Sequence, residues 1–247
     1  APPTKFSKPY QLPKQPWGTK ADNAFLSLAS VADAEGRKQD LSRETLAKDS
    51  SKAVLIRLHK SGEVSDDLIR KYMHHQDHNL RFVAANKAVG VNSGYIGWRS
   101  PGGKVREELV MEFLRHGDPR VRSAMFSAIV KRPDVLNQEV FNLAIQAVKS
   151  PQEAWSVKDA AMQLIGHAPA DWVVPHVDVL LPYLKHEDWW LQNAALSALT
   201  PVVADERVYQ EVLPPIGELV RKNQRTALTQ GLMGGMRAKL KAGSPEV

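Results

Sequence analysis

The chain has 247 residues, no cysteine, a net charge of +6, and hydrophobic and charged fractions of 43% and 24%. That composition is ordinary for a folded globular chain. It excludes disulfides and thiolate metal sites, and it permits an acidic partner without requiring one, because the basic residues are scattered and form no stripe. No run reaches the ~20 apolar residues that a spanning helix needs, so no membrane span is expected.

Residues 1–20, APPTKFSKPYQLPKQPWGTK, hold five prolines interleaved with Phe6, Tyr10, Leu12 and Trp17. Proline forbids helix here and favours an extended, polyproline-like arm, and the aromatic residues suit packing onto a helical body or a partner. From residue 21 to 243 apolar residues recur at helical spacing, and residues 244–247 read as a frayed tail. Phe25, Leu26, Leu28, Ala29 and Ala32 mark a first helix, and Ala53, Val54, Ile56 and Leu58 a second.

The pattern is clearest between residues 64 and 203. Ser65 is placed to cap a helix that buries Leu68, Ile69, Tyr72 and Met73. Asp77 then opens a second helix with Leu80, Val83, Ala84, Ala88 and Val89 inward. Residues 91–104, VNSGYIGWRSPGGK, break the periodicity and read as a loop far longer than the roughly 2–8 residues usual between helices. Residues 109–131 resume it as two short helices. Leu109, Val110, Phe113 and Leu114 line the first, which Gly117 is expected to close in a left-handed conformation. Asp118 caps the second, Pro119 stands at its first position, and Val121, Ala124, Met125, Ala128 and Ile129 face inward. A further pair covers residues 137–148 and 154–165, with Val140, Leu143, Ala144 and Ala147 opposite Val157, Ala160, Ala161, Leu164 and Ile165. In the segment 173–203, Pro182 predicts a kink and Asp188 opens a last alanine-rich helix. A final unit over residues 208–240 carries several basic residues, as a capping unit with a polar outer side would.

The second-helix anchors Leu80, Val121, Val157 and Leu191 recur at intervals of about 34–41 residues, the period of a two-helix repeat. The segments MHHQDHNLRFVAANKAVG, FLRHGDPRVRSAMFSAIVK and LKHEDWWLQNAALSALTPVV resemble HEAT repeats. Each joins a first helix ending in a hydrophobic pair to an aspartate corner and an alanine-rich second helix. The unit around Pro151 departs from this, with Gln152 in place of the aspartate. The resemblance implies an all-α, right-handed alpha-solenoid of HEAT-like two-helix repeats preceded by the Pro-rich arm. It implies little about activity, since such repeats mostly serve as scaffolds.

Candidate chemistry is sparse. The segment HHQDH places His74, His75 and His78 near Asp77, but at a helix end, where adjacent histidines diverge and suit the helix dipole better than a metal. Arg81, Arg120, Arg122 and Lys158 recur near second-helix starts and are expected to pair with corner aspartates of neighbouring units. No phosphate loop, nucleophile elbow or zinc-protease motif occurs, so no catalytic, cofactor or metal residue is assigned. The candidate partner-binding residues are Tyr95, Trp98 and Arg99 in the long loop and Trp189 and Trp190 at the last corner, residue types that dominate interface hot spots.

The expected function is a non-enzymatic protein–protein interaction or scaffold module, part of a larger or exported protein. Its partner is another protein or another domain of the same polypeptide. The alternative is nucleic-acid binding with a DNA glycosylase-like activity, since HEAT-like alkylpurine glycosylases cradle DNA; none of their motifs aligns here, so this rests on fold-level analogy alone. Exported and cytoplasmic settings both fit, and the absence of an initiator Met and of cysteine tilts the expectation to export.

Overall fold

A computed structural model describes residues 64–93, 99–101 and 103–222, without the side chains of residues 92, 93, 99–101 and 222. The arm and the first two helices expected from the sequence lie outside these residues, as do the loop tip with Tyr95 and Trp98 and the chain beyond Lys222.

The described chain is helical apart from one short hairpin, which makes it an all-α protein. α1 (Asp66–Met73) and α2 (His78–Ala88) form the first pair. α3 (Glu107–Leu114) and α4 (Pro119–Val130) form the second, and α5 (Gln138–Lys149) and α6 (Trp155–Ile165) the third. The fourth first-helix is broken into α7 (Ala170–Val173), α8 (Val177–Leu180) and intervening 3₁₀ turns, because Pro175 and Pro182 remove backbone donors. Its partner α9 (Trp189–Leu199) is continuous, and α10 (Tyr209–Lys222) rests on the 181–185 turn.

The second helices α2, α4, α6 and α9 pack each on the next, while each first helix packs on its own partner. Alanines at the contacts, among them Ala84, Ala128, Ala161 and Ala195, leave room for close approach and are buried. The core between the layers holds Phe113, Phe126, Phe141, Met125 and Met162, all within 1% of full burial. Phe126 and Phe141 were not among the inward residues expected from the sequence. Ala124 and Leu143, which were, are only half-buried. Each helix touches more than one neighbour, so its buried arc is wider than a single stripe.

Residues 91–104 are not wholly a loop. β1 (Val91–Ser93) pairs antiparallel with β2 (Arg99–Pro101), Val91 opposite Pro101 and Ser93 opposite Arg99. The base of this hairpin is pinned by a backbone crossing. Gly90 has φ +68°, and Gly103 N–H donates to its carbonyl at 3.1 Å. A Cβ at Gly90 would stand 2.2 Å from the Gly103 oxygen, so only glycine fits. The Arg132 guanidinium, from just beyond α4, closes the crossing by donating to the carbonyls of Val89 (2.9 Å) and Gly103 (2.7 Å). Arg106 ties the outgoing strand back by donating to Lys87 O and Val64 O at 3.0 and 2.6 Å, and it pairs with Asp66.

Gly117 does not adopt the left-handed conformation expected of it; Gly90 is the one glycine with positive φ among the described residues. α3 closes instead on Arg115 at φ −95°, whose N–H reaches Met111 O. The corner then turns without a left-handed residue, because side chains take over its carbonyls, as described below.

Gly90→Ala therefore costs about 3 kcal/mol in urea denaturation, from left-handed strain plus a backbone clash. Gly117→Ala, with nothing within 4 Å of its Cβ, is neutral or stabilises by at most about 1 kcal/mol. Equal effects of the two substitutions would contradict the pinned crossing.

Candidate partner-binding edge

The corners between first and second helices share one hydrogen-bonding scheme. Asp77, Asp118 and Asp188 cap α2, α4 and α9, accepting from the N–H two residues on at 2.8–3.0 Å. Two residues earlier stands a histidine each time. The Nδ1 of His75, His116 and His186 accepts from the aspartate's own N–H at 3.0 Å. Four residues after the aspartate, Arg81, Arg122 and Gln192 donate back to the corner carbonyls: Arg81 to His75 O and Gln76 O, Arg122 to His116 O and Gly117 O, Gln192 to His186 O. The sequence pattern is H-x-D-x-x-φ-(R or Q). It satisfies an orphan donor and orphan carbonyls at these three junctions with side chains local to the corner.

This geometry details one expectation and revises another. The HHQDH histidines are corner elements: His75 caps, and the His74 ring lies 4.8 Å from that of His116 in the next unit. The basic residues bind mainly within their own units, although the Arg81 charge also acts on Asp118 of the next corner. Arg81 and Arg122 hold carbonyls of their own corner, Arg120 pairs with its own Asp118, and the Lys158 ammonium stands over the Tyr183 ring. One guanidinium does cross between units. Arg122 Nη2 donates to Glu153 Oε1 at 2.6 Å, with both side chains largely buried. The cap position of this corner is Ala154, not the Gln152 expected there, and it carries no capping side chain; Glu153 accepts the Ala154 N–H, the part the histidine plays at the other corners. Ser123 Oγ donates to Ser156 O alongside. The α4 and α6 corners are thus joined edge to edge.

Arg120 holds the Asp118 carboxyl down to about 2, chiefly through its side-chain hydrogen bonds, with the Arg81 charge adding to the effect. At the adjoining junction Asp159 is pushed the other way by burial, opposed by a hydrogen bond with Gln163 and reinforced by the nearby charge of Asp188.

Along this edge stand the large exposed side chains. The first helical positions of α2, α4, α6 and α9 are His78, Pro119, Trp155 and Trp189. Trp155, Trp189 and Trp190 are 38%, 48% and 44% exposed. The rings of Trp189 and Trp190 stack on one another, 3.7 Å between centroids and 26° between planes. Both leave α9 at its first turn. Trp155 shares their edge and was not a sequence candidate. Its place at the same helical position as Trp189, one unit earlier, was the available signal. Of the other candidates, Arg99 opens β2 opposite Ser93, at the end of the hairpin away from its pinned base, while Tyr95 and Trp98 lie outside the described residues. The structure therefore unites the two sequence candidates at the last corner and adds a third tryptophan.

Two buried polar residues near the hairpin were also missed. Asn86 is 1% exposed with neither amide atom hydrogen-bonded, and burial together with the nearby Arg106 charge lowers Lys87 to about 8. Both lie in the last turns of α2, where the sequence alternates polar and apolar residues like any exposed face. Among the described residues no cluster of histidine and carboxylate side chains has the makings of a metal site, and no helix is long and apolar enough to cross a membrane.

No family model and no curated protein matches this sequence. A crystal structure of an engineered protein superposes with a TM-score of 0.49 at 14% identity, over 92% of this chain and 98% of that one. A likeness at that level carries no argument about this chain.

Two outcomes follow for the corner. Nuclear magnetic resonance titration finds the Asp118 carboxyl ionised down to about pH 2, and Arg120→Ala returns it towards the ordinary value of 3.8. Because the folded-state value is depressed, the stability it contributes is complete above about pH 4 and is lost as the pH falls towards 2. Asp188→Ala costs about 1 kcal/mol of stability, whereas Asp188→Asn costs only a few tenths, since asparagine caps a helix as well. A cost for asparagine matching that for alanine would remove Asp188 from the capping role.

Proposed function

We propose that this chain is a right-handed alpha-solenoid of HEAT-type repeats acting as a non-enzymatic protein-binding module, with the corner edge bearing Trp155, Trp189 and Trp190 as its docking surface. The observation that carries this reading is the stacked Trp189–Trp190 pair, about half exposed on a hydrogen-bonded helix junction. Exposed indole is costly in water and is the side chain most enriched at interface hot spots. A pair mounted on a capped helix start, with its backbone already ordered, loses little further entropy on binding. The repeat reading is supported by the serial packing of α2, α4, α6 and α9 and by the threefold recurrence of the H-x-D-x-x-φ-(R or Q) corner. The partner is another protein or a further domain of the same polypeptide. The pinned base of the hairpin fits the same role, as a mount for the segment with Tyr95, Trp98 and Arg99.

A photo-cross-linking residue placed at Lys185, in the cells that make the protein, tests this. A discrete adduct forms with a partner, and Trp189→Ala/Trp190→Ala weakens its yield at least ~30-fold, the loss of a hot spot worth about 2 kcal/mol. An adduct unchanged by the double substitution, in a chain that retains its helical signal, removes the tryptophan edge from the function.

A further inference from the structure

We infer that the Trp189–Trp190 corner docks a cationic, extended segment of the partner protein, with an arginine or lysine side chain over the exposed indoles and a neighbouring cation beside Glu187 and Asp188. The inference rests on the reading of this edge as a docking surface and adds the chemistry of what it takes.

The charges around the pair point this way. The chain as a whole is basic, at +6, but this corner is not. Glu187 is exposed and makes no ion pair or hydrogen bond among the described residues, and Asp188 accepts the Trp190 N–H on Oδ1 at 3.0 Å, with no donor to Oδ2 among those residues. Asp159, on the neighbouring helix, is close enough to feel the Asp188 charge. Among the described residues the nearby cations are Lys185, exposed two residues before Glu187, and Lys158, whose ammonium is over the Tyr183 ring. Glu153, in the preceding corner, is neutralised by Arg122. His186 faces the corner backbone through Nδ1.

Indole faces attract cations, most strongly among the aromatic side chains, and a carboxylate beside the ring adds a second, orienting contact. The same stacked indoles would also suit unpaired nucleic-acid bases. A nucleic acid, however, would bring phosphates against Glu187 and Asp188, where like charges repel. The carboxylates therefore favour the basic peptide. An extended segment fits because both indoles stand in the first turn of α9, about half exposed, where a peptide can lay a single side chain across the rings.

The test follows the indole N–H resonances of Trp189 and Trp190 in the full chain during titration with three probes: a short peptide alternating arginine and alanine, its glutamate counterpart, and oligothymidylate. The arginine peptide shifts these two resonances saturably, the glutamate peptide does not, and added salt weakens the effect. Glu187→Gln/Asp188→Asn, which keeps a helix cap, reduces the affinity about tenfold, and Trp189→Ala/Trp190→Ala abolishes the accompanying shifts of the Leu191 and Gln192 backbone amides, which report binding without the indoles. The inference is overturned if the arginine peptide produces no shift, if the glutamate peptide or oligothymidylate binds as well or better, or if neutralising Glu187 and Asp188 leaves the affinity unchanged. Should it fail while the tryptophan-dependent cross-link from Lys185 persists, the docking edge stands and the basic partner is wrong; loss of both removes the edge itself.

Discussion

Every helix junction of this kind must dispose of free N–H groups at one helix start and free carbonyls at the preceding helix end. Here one local constellation does both. The aspartate takes an N–H of the new helix, the histidine takes the aspartate's own N–H, and the arginine or glutamine four residues on returns to the carbonyls. Three junctions use it, centred on Asp77, Asp118 and Asp188. The fourth has Ala154 at the cap with no capping side chain, and its Glu153 accepts the Ala154 N–H while also holding Arg122 of the preceding corner. That substitution turns a local device into a link between units, and it stands between the first two corners and the tryptophans of α6 and α9.

Much of this was legible in the sequence because it depends on local chemistry. Helix pairs, their aspartate caps and the break at Pro182 follow from periodicity and from what proline and aspartate do to backbone donors. The corner partners were less visible. Arg122 was expected to reach a neighbouring aspartate; its Nη2 instead reaches Glu153 of the neighbouring corner, while its spacing also lets Nη1 fold back onto the His116 and Gly117 carbonyls. The histidines suggested metal chemistry only as long as their backbone partners were unknown. Gly117 was expected to be left-handed because helices often end that way, whereas the constraint fell on Gly90, where two backbones cross. That crossing joins residues on either side of a hairpin, so no local pattern announced it.

The tryptophans show the same division. Trp189 and Trp190 stood out because an otherwise polar corner carried two large apolar residues. Trp155 did not, because its corner departs from the repeat and its equivalence with Trp189 emerges only when α6 and α9 are set side by side. The edge that results combines rigidity inside with exposed aromatic surface outside. Carboxylates at the last corner then distinguish among the partners such a surface can take, since charge selects more sharply than an apolar face alone.

The account depends on the corners being coupled from one unit to the next, and a double-mutant cycle between Arg122 and Glu153 measures that coupling directly. With Arg122→Ala, Glu153→Ala and the double variant unfolded in urea, an interaction energy of about 1–3 kcal/mol is expected for a largely buried, hydrogen-bonded pair. A value indistinguishable from zero would mean that the two corners fold independently and that the edge carrying the tryptophans is not a single platform.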